Sequence, residues 1–100
     1  MALVDSQCRT FQAALEVLGR PWFGLLLNVL QAGPLRFSEI RERAQGPGDK
    51  ILSARLKELE ARGLVERRVV AGRTQYRLTP MGEELRPAVG ALRSWAQRWL

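Results

Sequence analysis

The chain has 100 residues and a mass of 11.3 kDa, which is room for one compact domain and not for two. Its composition is globular, 46% hydrophobic and 26% charged, and sixteen Lys and Arg against ten Asp and Glu leave a net charge of +6, which favours nucleic acid first and an anionic membrane surface second. Histidine is absent and Cys8 is the only cysteine, which excludes His-based catalytic sites, His- or Cys-rich metal sites and an internal disulfide; no enzyme activity, metal or cofactor is expected, and the setting is reducing and cytoplasmic.

Taken in chain order, Phe11, Ala14, Leu15 and Leu18 fall at helical spacing and predict a first helix over about 5–18, with Asp5 or Ser6 as N-cap and Gly19 as its stop. Pro21 suits the first turn of a second helix. Its run from Trp22 to Leu30 is apolar nearly all round and should be the buried centre, ending at Ala32-Gly33-Pro34. The longest apolar stretch, Trp22 to Leu27, is broken by Gly24 and falls far short of the roughly 20 residues that span a bilayer, so no membrane partner is expected. A short extended piece at Leu35–Phe37 leads to Ser38, which can cap a third helix from Glu39 to Ala44 with Ile40 facing inward.

A fourth helix is predicted from Asp49, as N-cap, to about Arg62, with Gly63 at the left-handed C-terminal position. Leu52, Leu56 and Leu59 form one narrow inward stripe. The opposite face holds Lys50, Ser53, Ala54, Lys57 and Ala61, two cations among small residues with no acid. Leu64–Val70 and Gln75–Leu78 read as two strands around the loop Ala71-Gly72-Arg73-Thr74, a hairpin with a cationic tip. Thr79-Pro80 then starts a last helix over about 80–99, with Leu85, Val89, Leu92, Ala96 and Trp99 at 4-3-4-3 spacing and Trp95 beside them.

The charge is concentrated. Between Arg36 and Arg77 there are eleven basic and six acidic residues, net +5, while the two flanks together carry net +1. Four helices, a hairpin and a helix, with the cations on the fourth helix and the hairpin, make a mainly α fold with a small β-hairpin (α+β): a winged helix-turn-helix over residues 1–100. Its helix-turn-helix covers about 38–62 and its wing about 64–78, between N- and C-terminal dimer helices.

Several segments resemble the HxlR-type branch of the MarR-like winged helix-turn-helix regulators. Val17-Leu18-Gly19-Arg20-Pro21-Trp22 is similar to that family's entry to its second helix. Gly33-Pro34-Leu35-Arg36-Phe37-Ser38-Glu39-Ile40, Leu52-Ser53-Ala54-Arg55-Leu56-Lys57-Glu58-Leu59 and Tyr76-Arg77-Leu78-Thr79-Pro80-Met81-Gly82 follow three more of its motifs in order. The resemblance implies a dimeric transcription factor on a pseudo-palindromic operator. The chain departs from it in a shortened, proline-free wing and at Cys8, which sits one residue farther from the Trp motif than the sensing cysteine of thiol-responsive relatives and lacks the usual following proline.

These readings predict a cytoplasmic homodimer that binds double-stranded DNA and regulates transcription, more often as a repressor; the alternative is a winged-helix protein-interaction module. Lys50, Ser53, Ala54 and Lys57 are the groove candidates, Arg36, Ser38 and Arg55 the phosphate candidates, and Arg73 the wing-tip candidate. Arg55 also has an intramolecular reading, since it borders the leucine stripe. Phe11, Leu15, Leu85, Val89, Leu92, Trp95, Ala96 and Trp99 are assigned to a dimer interface, with self-packing and a ligand pocket as the other readings of the last helix. A pocket for a small aromatic or apolar effector would form where Trp22 and Phe23 meet Trp95 and Trp99. Cys8, early in the first helix beside Arg9, is either a packed apolar residue or a redox sensor.

Overall fold

A computed structural model describes residues 5–100. Helices α1 (Asp5–Gly19), α2 (Phe23–Leu30), α3 (Phe37–Ala44) and α4 (Asp49–Ala61) are followed by strands β1 (Val65–Val70) and β2 (Arg73–Leu78), then by a one-turn helix α5 (Pro80–Glu83) and the terminal helix α6 (Arg86–Trp99). The core gathers around α2. Phe23, Leu26, Leu27 and Leu30 are buried against Ile40 of α3, Leu52, Leu56 and Leu59 of α4, and Leu64, Val65 and Leu78 of the hairpin. Each such side chain contributes about 1.5–3 kcal/mol of transfer free energy, so a 100-residue chain can hold its centre with one well-packed helix layer.

Local signals set the boundaries. Helix α4 ends in a Schellman motif: the Gly63 N–H donates to the Glu60 carbonyl and the Leu64 N–H to the Leu59 carbonyl, both at 3.0 Å, with Gly63 at φ +79°. That turn feeds the chain directly into β1. The strands pair antiparallel with Val70 opposite Arg73, which leaves Ala71 (φ +52°) and Gly72 (φ +77°) as a two-residue turn of the primed type. Leu35 adds one rung beside β2, exchanging backbone hydrogen bonds of 2.9 and 2.8 Å with Tyr76.

Several boundaries differ from the expectation, among them the start of β2, which lies at Arg73 and not at Gln75. Helix α1 already runs at Asp5, so its capping residue lies outside the described residues. Helix α2 begins at Phe23 and not at Pro21, because Trp22 takes a left-handed conformation (φ +71°) and turns the chain first. Helix α3 is capped from Arg36, whose N–H donates to Glu39 Oε1 at 2.8 Å, and Ser38 lies inside the helix. In α4 the capping position is Gly48, which makes Asp49 the first helical residue. The predicted last helix is two helices. Pro87 has no N–H to give residue 83 and its ring would meet that carbonyl, so the chain turns at Glu84–Leu85 and α6 starts afresh with Pro87 in its first turn.

Helix α6 is tied across α2 by Arg86, which donates to the Gln31 carbonyl at 2.9 Å, by Arg93 on Asn28 Oδ1, and by buried Val89. Beyond those ties the flanking helices extend away from the centre: the chain measures 55 × 29 × 23 Å, with a radius of gyration of 14.8 Å against about 13 Å for a compact chain of this length. Among the described residues no single helix is long and apolar enough to cross a membrane.

Candidate nucleic-acid interface

Helix α4 turns its three leucines wholly inward, into the core around α2, so its other side is left to solvent. Lys50, Ile51, Ala54, Lys57 and Ala61 are exposed there and Ser53 is half-buried. The exposed face is therefore smooth and cationic.

Ion pairing sorts the basic centre into two sets. Arg36 pairs with Glu39, Arg41 with Asp49, Arg55 with Glu58, and both Arg68 and Arg77 with Glu66. Lys50 and Lys57 of α4, Arg43 of α3, Arg62 at the end of α4, and Arg67 and Arg73 of the hairpin are exposed and make no ion pair among the described residues. The paired set spends its charge within the chain. The unpaired set is available to a polyanion, and it spans α4 and the wing.

Of the two acids that flank the α4 face, Glu58 is tied to arginines, whereas exposed Glu60 makes no ion pair among the described residues. Glu58 accepts two hydrogen bonds from Arg20, at 2.8 and 2.9 Å, and one from Arg55 at 2.7 Å. The Arg20 hydrogen bond holds its carboxyl below the usual range, against a smaller opposing desolvation, with Arg55 adding to the effect. Glu66 is held low in the same way by Arg77. Because Arg20 lies in the α1–α2 connection, Glu58 also braces the fourth helix against the start of the core.

The predicted site residues fall into distinct places. Lys50, Ala54 and Lys57 share the open face of α4, with Ser53 at its edge, and Arg73 stands at the first residue of β2 just after the turn, not within a loop. Arg36 and exposed Ser38 lie together at the start of α3. Of its two readings, Arg55 takes the intramolecular one: its side chain is 19% exposed, it sits on Glu58, and its Nε is buried without a partner. Phe11 and Leu15 of α1 and Leu92, Trp95 and Trp99 of α6 are exposed apolar side chains, whereas Leu85 and Ala96 are half-buried and Val89 belongs to the chain's own core.

The aromatic pocket does not form as expected. Phe23 is fully buried, and Trp22 lies over Gly46 in the α3–α4 turn, where an added Cβ would come within 2.7 Å of the indole. The principal cavities are lined by other residues. The first, about 410 Å³, is bounded by Ala14, Val17 and Leu18 of α1, by Leu64, Met81 and Leu85, and by Arg62 and Glu84. Cys8 is exposed and free, so it is not a packed residue of this chain. Among the described residues no three His, Cys, Asp or Glu side chains are placed to hold a metal ion.

Residues absent from the sequence-based set are Ile51, Arg43, Arg62 and Arg67. Ile51 was discernible, since it stands about 100° from Leu52 and so off the buried stripe. Which arginines stay unpaired depends on contacts as distant as Arg20 to Glu58, and spacing alone does not reveal them.

A braced helix with a smooth cationic face, preceded by a shorter helix and followed by a tight hairpin, is a winged helix-turn-helix. The sequence profile of the family described as HxlR-like helix-turn-helix matches residues 17–100. The chain belongs to this family. It is 38% identical over 99 residues to YvaP of Bacillus subtilis (strain 168), an uncharacterized HTH-type transcriptional regulator, covering 96% of this chain and 92% of YvaP. It is 36% identical over 98 residues to the HTH-type transcriptional regulator YodB of the same organism, covering 95% and 88%. The solved reduced form of YodB superposes with a TM-score of 0.80 at 34% identity, over 99% of this chain and 95% of that one. The redox regulator HypR in its reduced form superposes with a TM-score of 0.82 at 32% identity, over 89% and 91%. YodB has also been solved quinone-bound. HxlR-like membership makes this chain a transcriptional regulator of helix-turn-helix type, with relatives that include a redox regulator and a regulator solved quinone-bound.

Proposed function

We propose that this HxlR-like chain is a homodimeric, sequence-specific DNA-binding regulator that represses transcription by occupying a pseudo-palindromic operator. Helix α4 enters the major groove, and the wing brings Arg73 to the neighbouring minor groove or backbone. The observation that carries this reading is the open face of α4, where Lys50 and Lys57 are unpaired while the flanking Glu58 is tied to two arginines. Exposed apolar side chains on α1 and α6 support pairing with a second copy, which would set two α4 helices about 34 Å apart in successive major grooves.

The test is a gel shift with the DNA upstream of the chain's own gene and of its neighbours. Wild type should bind one region selectively, and affinity should fall steeply with salt as phosphate contacts release counterions. Lys50→Ala combined with Lys57→Ala should weaken binding about tenfold or more, roughly 1.4 kcal/mol, and leave the dimer intact. Selective binding that survives the double substitution would show that another face is used. No selective binding at low salt would favour a protein-interaction module.

Exposed Cys8 favours a second element, control by electrophiles or oxidants of the kind met by YodB and HypR. With one cysteine per chain, the product is a thiol adduct or a disulfide between two copies. Whole-protein mass after treatment with a benzoquinone should show one adduct on wild type and none on Cys8→Ser; an unmodified wild type would remove this route.

A further inference from the structure

The cations of α4 account for attraction to a polyanion but not for Ile51. Leu52, Leu56 and Leu59 are at most 1% exposed, yet Ile51 is 44% exposed in the first turn of the helix. Single apolar residues on a surface are ordinary. This one occupies the third helical position of α4, and in helix-turn-helix docking the N-terminal residues of the second helix are those that reach base edges. It lies about 60° around the helix from exposed Ala54. The two are separated by about 4.5 Å of rise, comparable to one base step.

Their neighbours define what such a pair can meet. Lys50 precedes Ile51 and Lys57 follows Ala54, so the apolar pair is framed by two unpaired cations, and Glu58 on the same flank is neutralised by Arg20 and Arg55. An apolar side chain in this place has no use for a phosphate and gives no hydrogen bond to a base. The group in the major groove that it can bury is the thymine C5-methyl. We propose that Ile51 reads the 5-methyl of a thymine in each operator half-site, with Ala54 allowing the close approach and Lys50 and Lys57 holding the register. This inference rests on the DNA-binding reading above.

The test begins by selecting duplexes that bind the wild-type dimer from a random pool, then replaces each half-site thymine singly by deoxyuridine, which removes only the methyl. Wild type should lose about threefold to fivefold in affinity per half-site at one symmetric thymine, the scale of one buried methyl group. Ile51→Ala should bind the thymine duplex more weakly and show no further loss on the deoxyuridine duplex, whereas Lys57→Ala should keep the full deoxyuridine penalty. Melting temperatures check that Ile51→Ala folds, as its exposure predicts, and Ile51→Val should give an intermediate penalty. Equal deoxyuridine penalties in wild type and Ile51→Ala at every thymine, or no penalty in wild type, would overturn the inference while leaving sequence-specific binding standing. A pool that yields no preferred sequence would overturn the DNA-binding reading itself, and this inference with it.

Discussion

Helices α2 and α6 are both rich in large apolar side chains, and the fold treats them in opposite ways. In α2 five of eight residues, Phe23, Leu26, Leu27, Val29 and Leu30, are buried by the chain's own helices and hairpin. In α6, which has fourteen residues, Val89 alone is buried, while Leu92, Trp95 and Trp99 are more than half exposed. The chain covers the apolar side chains of α2 and leaves most of those of α6 exposed. Apolar area of the second kind contributes nothing to folding until something covers it, and Phe11 and Leu15 of α1 present the same unfilled surface on the other flank.

Truncating large side chains in each region should have opposite consequences. Leu56→Ala should cost about 2–5 kcal/mol of unfolding free energy, because Leu56 is 1% exposed and its loss leaves a cavity in the core that it shares with Leu26, Ile40 and Leu52. Denaturant melts would read that loss directly. Trp95→Ser with Trp99→Ser should leave the helical content of the chain near wild type and instead shift sedimentation from dimer toward monomer at micromolar concentration. A double variant that unfolds like Leu56→Ala would show that α6 is core after all. One that remains dimeric would place the interface elsewhere.

A smaller effect tests how the two regions are joined. Arg20, between α1 and α2, holds Glu58 of α4, so the carboxyl is kept below its ordinary value of about 4.3. A depressed folded-state pKa contributes stability that is fully present above the unfolded value and is lost as pH falls through the folded one. Thermal melts from pH 7 to pH 3 should therefore show less acid destabilisation for Glu58→Gln than for wild type. The variant should already be the less stable at pH 7. Identical acid profiles would mean that the exposed pair is screened to no effect.

The difference between centre and frame was also the difference between what could and could not be read from the amino acids. The leucine stripe of α4, the Gly63 stop and the Thr79-Pro80 start are local signals, and the last two are seen as a Schellman turn and as a Thr79 side chain that accepts from the Gly82 N–H at 3.1 Å. Gly82 itself marks a constraint hidden from spacing, since a Cβ there would lie 2.2 Å from the Leu64 carbonyl oxygen. Arg55 and Glu58 stand three residues apart on α4, a spacing that allows an ion pair but does not decide between it and a phosphate contact. A single continuous last helix was expected since its apolar spacing runs straight through Pro87; the missing N–H outweighs that periodicity and splits it into α5 and α6. Residue type alone suggests a pocket at Trp22 and Trp95, and the left-handed turn at Trp22 sends that ring over Gly46 instead.

The smallest expected effect lies in the hairpin, whose sequence suggests a four-residue loop and which closes with a two-residue turn. Both turn residues have positive φ, and the first of them is an alanine, whose Cβ disfavours that conformation. Asparagine tolerates it better and is the preferred partner of a following glycine in this turn. Ala71→Asn should therefore raise stability by about 0.5–1 kcal/mol. The side chain is exposed and the charge of the wing is unchanged, so affinity for the selected duplex should stay within about twofold. A stability gain joined to a large change in DNA affinity would show that the tip of the wing is adjusted to its target by the strain at Ala71, and not by the placement of Arg73 alone.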